Sequence, residues 1–256
     1  MNKDERDQAR AFARLDYEGF RQLAQRSDLS RYQRIGFPDS LRAGRESEIF
    51  QDICSKIPPL DHGAELTILD IGPGCSDLPN LIIDRCKARK NRLILIDSIE
   101  MLAELPEGEG IEKIVGPFPQ CAPLLEGLHG ATDVILCYSV LHYVFAEGQI
   151  FGFLDAALKL LRPGGGMMII GDVPNVSMRR RFLASAAGAA FHRAYTGCDA
   201  PPEPGFNQAA EGEMDDAVLI SLISRARSAG VDAWILPQPP CLPMSNRRED
   251  LIFRRP

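Results

Sequence analysis

One segment constrains the fold of this chain more than any other: Ile68-Leu69-Asp70-Ile71-Gly72-Pro73-Gly74-Cys75-Ser76-Asp77, an apolar run that ends on an acid and breaks into a glycine turn. A second apolar run, Arg92-Leu93-Ile94-Leu95-Ile96-Asp97, follows and ends on another acid. Two such units in succession predict parallel strands joined by a helix, as in an open α/β sheet that holds its ligand at the carboxyl ends of the strands. The glycines let the backbone pass close to a ligand with no Cβ in the way. Asp97 stands where a carboxylate can accept hydrogen bonds from both hydroxyls of a ribose. A structural turn at the glycines and a helix N-cap at Asp97, ahead of Ser98 to Leu102, are the plainer readings. The acid before the turn and the acid at the next strand end together favour ligand contact.

The spacing also narrows the ligand. A dinucleotide fingerprint needs G-x-G-x-x-G; Gly72 and Gly74 fit, but Asp77 occupies the third position. A carboxylate there repels a pyrophosphate at the helix N-terminus, where anions normally bind. The acid at Asp70 suits a cationic ligand. S-adenosylmethionine has no phosphate and carries a sulfonium and an ammonium. At these residues the chain resembles the class I S-adenosylmethionine-dependent methyltransferases, whose first motif is D/E-x-G-x-G-x-G. Asp70, Gly72 and Gly74 match it, and Ser76 replaces the last glycine.

The resemblance covers about residues 64 to 255. Asp97-Ser98-Ile99-Glu100-Met101-Leu102 resembles the second motif, and Ile114 to Pro119 falls at the adenine-side loop, with Pro117 where an aspartate is common. Asp133 to Tyr143 resembles the fourth strand and the turn after it. Leu160 to Gly166 resembles the L-x-P-G-G turn before strand five, and Val231 to Leu236 with Asp250 to Arg254 resembles the last hairpin. The implied fold is α/β: a doubly wound, mostly parallel seven-stranded, Rossmann-like sheet. Strands are expected near 66–71, 92–97, 112–115, 132–138 and 166–172. The implied activity is methyl transfer from S-adenosyl-L-methionine. The implied cofactor contacts are Asp70, Gly72, Gly74, Ser76, Asp97, Ser98, Pro117, Phe118, Tyr138 and Ser139.

Around that core the sequence predicts a helical N-terminal cap over 1–62 and a methyltransferase domain over 63–256, with a lid inserted at 174–214. Residues 1 to about 28 read as an amphipathic helix, with Phe12, Leu15, Phe20 and Leu23 near helical spacing. Tyr32 to Ser40 reads as a loop, and a helix is expected from about Arg42 to Lys56, ended by Pro58-Pro59. Another is expected from Asp215 to Ala229, with Gly230 past its end. The insertion after strand five has the length of a binding loop or lid.

The acceptor side is read from fewer signals. His142, just past strand four, is the candidate general base; a packed, hydrogen-bonded histidine is the alternative, since Leu-His recurs there in the family without a catalytic task. Arg179, Arg180 and Arg181 follow strand five and can clamp a phosphate or carboxylate, or form a solvated helix face. Tyr32 and Arg34 are candidate substrate contacts in a Gly-Pro loop, and His192 in the insertion is a further candidate.

The chain has 256 residues and a formal charge of -6. An acidic chain is a poor fit for a nucleic-acid binder, which shows a basic stripe. Seven cysteines stand without a CxxC or Cys/His cluster, so no metal site and no disulfide framework is expected. The charged Met1 to Arg14 segment does not read as a signal peptide, and no membrane partner or span is expected. The reading is therefore a cytoplasmic enzyme that methylates a hydroxyl of a small polar metabolite, such as a sugar or a phosphate-bearing compound. The segment from Arg34 to Arg42 resembles those of surface-polysaccharide methyltransferases. A protein or RNA methyltransferase, and a non-catalytic cofactor-binding partner protein, are the rival readings.

Overall fold

Strands buried on both faces are written as unbroken apolar runs, because neither face meets water. The structure, a computed structural model, describes residues 12, 15–197, 199–208 and 211–256. In it β1 (Thr67–Ile71), β2 (Arg92–Asp97), β3 (Ile111–Val115), β4 (Val134–Tyr138), β5 (Gly166–Pro174), β6 (Asp232–Pro237) and β7 (Arg248–Arg255) form one seven-stranded sheet, in the order β3-β2-β1-β4-β5-β7-β6. Pairings from β3 through β5 are parallel. β7 runs antiparallel to both β5 and β6.

Side chains divide between the two faces with the period of two that a strand imposes. Leu69, Ile94, Ile96, Ile135, Met168 and Ile170 face one apolar layer, completed by Phe153 and Leu154 of the helix Ile150–Leu160 and by Leu219 and Leu222 of Asp216–Ser228. Ile68, Leu93, Leu95, Val134, Leu136 and Ile169 face the other, covered by Ile49 and Ile53 of the helix Glu46–Lys56 and by Ile82 and Ile83 of Asp77–Ala88. Helices thus cover both faces. The chain winds from β1 toward β2 and β3 in one direction and from β4 toward β5 in the other. The crevice between the carboxyl ends of β1 and β4 is the topological switch point, where such sheets hold ligands.

The N-terminal region departs from expectation in detail. Its helix runs over Tyr17–Ala24, where Asp16 accepts the Gly19 N–H at 2.8 Å; residues 1–11, 13 and 14 lie outside the described residues. The expected loop at Tyr32 to Ser40 instead begins with a helical turn, Arg31–Arg34. Ser30 and Gln33 close a capping box on it. The expected helix from Arg42 is interrupted: Asp39–Arg42 is a separate turn, Gly44 adopts φ +73°, and the long helix starts at Glu46. Pro58 ends one helix but opens another, Pro58–His62, since a proline at the first helical position gives up only an N–H that has no partner there. The insertion after β5 holds two helices, Val176–Leu183 and Ala186–Thr196, pinned by edge-to-face packing of Phe182 on Phe191. No helix of the described residues is long and apolar enough to cross a membrane.

Candidate functional site

A cavity opens at the switch point, and its floor is the turn after β1. Gly72 and Gly74 have φ of +71° and +67°, a region that residues with a Cβ rarely adopt. A Cβ on Gly72 would lie 2.6 Å from Val140 Cγ2, and one on Gly74 2.7 Å from Ile35 Cγ2. The turn is therefore squeezed between the β4 end and the N-terminal region, and only glycine fits. Asp70, Asp97, Pro117, Phe118, Tyr138 and Ser139 also line the cavity. Phe118 is held by edge-to-face packing on Phe153 at 5.1 Å.

The two acids are set differently. Asp97 Oδ2 accepts the Gly74 N–H at 3.0 Å and Oδ1 accepts the Ser98 N–H at 2.7 Å. Both oxygens are thus aimed by backbone while each keeps a second lone pair. Burial pushes this carboxyl up to about 6, against the pull of those two N–H groups. Asp70 is 3% exposed. Burial, and then the neighbouring Asp97 charge, push its carboxyl up to about 8, and no cation among the described residues offsets them. The cavity thus presents two acids, Asp70 buried and Asp97 half-buried, that lack a positive partner among the described residues. Burying a charge without a partner is strongly unfavourable, so the site fits a ligand that brings cationic and hydroxyl groups.

It does not fit a pyrophosphate. The first turn of Asp77–Ala88 is occupied: Glu46 accepts the Leu78 N–H, and Asp77 accepts from Arg31 and, at 2.6 Å, from the Tyr32 hydroxyl. This arrangement also corrects Ser76, which is 1% exposed, leaves its Oγ without a partner and does not line the cavity. Glu46 does the capping that a serine there would normally do. Ser98 is likewise a structural residue: its Oγ caps the helix Ile99–Ala103 by accepting the Met101 N–H at 3.3 Å. Asp97 is accordingly not the N-cap.

The roof of the cavity comes from the N-terminal region, where the aromatic Phe37 of the 32–40 segment marks a ligand contact in sequence and the other lining residues do not. Tyr17, Phe20, Ile35, Phe37 and Arg42 line it from the N-terminal region. Burial and then the Asp97 charge push the Tyr17 phenol up to about 12. Arg21 clamps its helix to Glu100 through bonds of 2.7 and 3.0 Å, which holds Tyr17 and Phe20 in place. Arg42 is 4% exposed; its guanidinium pairs with Glu46 at 3.1 Å and lies 4.6 Å from the Phe37 ring centroid.

A second cavity adjoins the first and shares Phe37, Tyr143 and Glu147 with it. His142, Asn175, Arg179, Arg247 and Arg248 line it. Burial, and then Arg248, hold the His142 imidazole well below its ordinary value, and its Nδ1 is buried without a partner. Ser139 and Asp172, at the ends of β4 and β5, both take positive φ, 62° and 58°. The Ser139 hydroxyl donates to Asp172 Oδ2 at 2.6 Å. Strained non-glycine residues of this kind concentrate at functional sites.

The remaining candidates lie elsewhere. Tyr32 is committed to Asp77. Arg34 pairs with Glu104 at 3.0 Å and lines neither cavity. Arg180 and His192 also lie outside both, because the helices 176–183 and 186–196 turn those positions away. Arg181 pairs with Asp216 across the surface. Of the three consecutive arginines only Arg179 reaches a cavity. Cys75 and Cys137 are buried packing residues whose thiols burial pushes up. Among the described residues no three His, Cys, Asp or Glu side chains gather as a metal site would require.

No family model matches the chain, and no curated protein does. Solved structures match its fold. The plantazolicin methyltransferase BamL, in complex with a triazolic desmethylPZN analog and SAH, is 12% identical with a TM-score of 0.58, covering 99% of this chain and 96% of that one. The fold is that of the class I methyltransferases. The CurJ carbon methyltransferase matches at 13% identity and a TM-score of 0.55, over 98% of this chain and 68% of that one. The methyltransferase domain of bacterial CtHen1-CN matches at 13% and 0.53, over 83% of this chain and 100% of that one.

Proposed function

We propose that this chain binds S-adenosyl-L-methionine in the glycine-floored cavity and transfers its methyl group to a hydroxyl of a small polar metabolite, such as a sugar. The observation that carries the reading is the pair of acids without a cation among the described residues, buried Asp70 and half-buried Asp97, at the carboxyl ends of β1 and β2. Asp70 would neutralise the ammonium, Asp97 would accept from the ribose hydroxyls, and Pro117 with Phe118 would border the adenine. Gly72 and Gly74 would let the backbone approach the ligand. When bound, the cofactor supplies an electrophilic methyl group on a positively charged sulfur. The chain's own task is then to align and enclose the acceptor, a contribution that can reach several kcal/mol in well-oriented reactions.

Phe37 and Tyr143 form the shared wall of the two cavities, and Phe20 packs edge-to-face on Tyr143 at 4.7 Å. His142 lines the second cavity with its Nδ1 buried and unpartnered, so it can accept the acceptor's hydroxyl hydrogen as the methyl transfers; burial and Arg248 oppose its charged form, which makes it a weak base in the free protein. His142→Ala should lower kcat by about 10²- to 10⁴-fold while cofactor affinity stays unchanged. A kcat within about twofold of wild type would assign His142 to packing.

Titration calorimetry with S-adenosylhomocysteine tests the cofactor. Wild-type protein should bind it, and Asp97→Ala should lose about 2 kcal/mol or more, since hydrogen bonds to a charged group contribute about 1.5–3 kcal/mol. Binding of NAD without binding of S-adenosylhomocysteine would overturn the reading. Incubation with methyl-labelled cofactor and cell extract separates the acceptors. Label in a low-mass product supports a metabolite acceptor; label only in protein or RNA assigns a macromolecular acceptor; and no label with tight cofactor binding assigns a non-catalytic role.

A further inference from the structure

The second cavity is lined by three arginines, of which only Arg248 has an ion pair among the described residues. Arg247 stands just before β7, and its backbone carbonyl is fixed by the Asn175 N–H at 3.0 Å. Its guanidinium makes one side-chain hydrogen bond among the described residues, to Asn246 at 3.4 Å. Arg179, on the helix Val176–Leu183, has no ion pair among the described residues, and Arg248 completes the group.

The acids that would normally balance these charges are already committed. Asp172 accepts the Ser139 hydroxyl and pairs with Arg248 at 3.6 Å, while its backbone carbonyl accepts from the same guanidinium at 2.7 Å. Glu249 and Asp216 are both held by the Asn175 side-chain amide, at 2.5 and 2.7 Å, and Asp216 also pairs with Arg181. Asp16 is bound to the Gly19 N–H; the other acids lining this cavity, Glu147 and Glu213, are exposed at its edge. The result registers on Arg247 itself, whose pKa is pushed down to about 10 by burial and then by Arg248 and Arg179. Tyr195 and Asp172 oppose this only in part.

Resting on the methyltransferase reading above, we infer that the methyl acceptor is an anion, carrying a carboxylate or phosphate group that Arg247 and Arg179 hold in the second cavity, with its nucleophilic hydroxyl toward His142 and the cofactor cavity. Guanidinium groups bind both anions through paired, charge-assisted hydrogen bonds. Arg248, tied to Asp172, positions the site and contributes its field. A neutral sugar would leave Arg247 as desolvated and unbalanced as it stands, whereas an anion removes the repulsion among the three cations. The anionic group also orients the acceptor, because it anchors one end of the molecule on the β7 side and leaves the other end beside the shared wall of Phe37 and Tyr143.

The test uses full-length protein saturated with S-adenosylhomocysteine, titrated with inorganic phosphate and, separately, with malonate. Saturable binding of at least one probe is expected, weakened about tenfold to hundredfold in Arg247→Met and largely restored in Arg247→Lys. S-adenosylhomocysteine affinity should be the same in all three proteins. A stronger response to phosphate assigns a phosphate-bearing acceptor, and one to malonate a carboxylate. Absence of saturable binding by both probes, or equal binding by wild type and Arg247→Met, would overturn the inference. Failure of S-adenosylhomocysteine to bind would instead overturn the cofactor reading, and the anion titrations without it would still judge the arginine site. As a second arm, the labelled low-mass product from extract should be retained on an anion exchanger; a neutral labelled product would also refute an anionic acceptor.

Discussion

Replacing Asp70 by asparagine is expected to make the protein more stable above neutral pH and to remove most of its affinity for S-adenosylhomocysteine. The carboxyl is 3% exposed and is raised from an ordinary value near 3.8 to about 8 by burial and by Asp97. The folded state therefore keeps the proton over a range in which the unfolded chain has lost it. The resulting penalty is absent below about pH 4, grows as pH rises and is complete above about pH 8. Each tenfold difference in proton affinity between the folded and unfolded states corresponds to about 1.4 kcal/mol, so even part of the displacement amounts to a few kcal/mol. An amide in the same place carries no such penalty.

Thermal unfolding of both proteins between pH 5 and 9 tests this. The stability difference should widen in favour of Asp70→Asn as pH rises, and saturating S-adenosylhomocysteine should reverse it by stabilising only the wild type. Titrations at pH 7 in buffers of different ionisation enthalpy should also detect proton release on ligand binding to wild type, and less in the variant. A variant less stable than wild type at pH 8.5 would show that Asp70 has a partner within the fold.

Strand positions were legible because the chemistry that writes them is local. β2 runs over Arg92–Asp97, as its apolar run predicts; β1 and β3 differ from expectation by one residue at one end, and β4 and β5 by two. A strand buried on both faces admits only apolar side chains, and the first polar or glycine residue marks where it leaves the sheet. Asp70, Gly72, Gly74 and Asp97 sit at those exits, so they could be found without knowing what surrounds them.

The residues that were missed reach the site from far along the chain. Tyr17, Phe20 and Arg42 arrive by folding the N-terminal region over the turn after β1, and Arg247 and Arg248 arrive because β7 inserts beside β5. No local pattern distinguishes an arginine that ends in a cavity from one that ends in water. Arg180 and Arg181, adjacent in sequence to Arg179, turn out of the cavity because a helix advances 100° per residue. The Ser30–Gln33 capping box was a readable signal that breaks the expected loop. The loss of the N-cap role at Ser76 was not readable, since the carboxylate that displaces it comes from Glu46 on another helix.

Lys56→Met is expected to destabilise the protein by about 3–5 kcal/mol. The ammonium lies 2.7 Å from Asp52 Oδ2 and 2.6 Å from Asp250 Oδ2, with the two acid side chains 4% and 0% exposed. Asp250 also accepts the Asp172 N–H at 2.8 Å and a Gln238 amide hydrogen at 3.0 Å. Burial already raises the Asp250 carboxyl, and Lys56 is the cation that opposes the rise. Without it two buried carboxylates face each other unpaired, and breaking such a pair from one side costs about 3–5 kcal/mol. The Asp250 carboxyl, already raised by burial, would then lose the cation that opposes the rise, so the loss should be greatest at high pH and shrink as pH falls toward 5. The effect should extend to the site, because Asp250 holds the backbone of Asp172, and Asp172 holds both Ser139 and Arg248. Urea unfolding of wild type, Lys56→Met and Lys56→Met/Asp250→Asn measures it. The double variant should recover part of the loss, since it removes one of the two stranded charges. A loss below about 1 kcal/mol in Lys56→Met, the scale of an exposed ion pair, would mean that water reaches these acids and that the core beneath the β5 end is not dry.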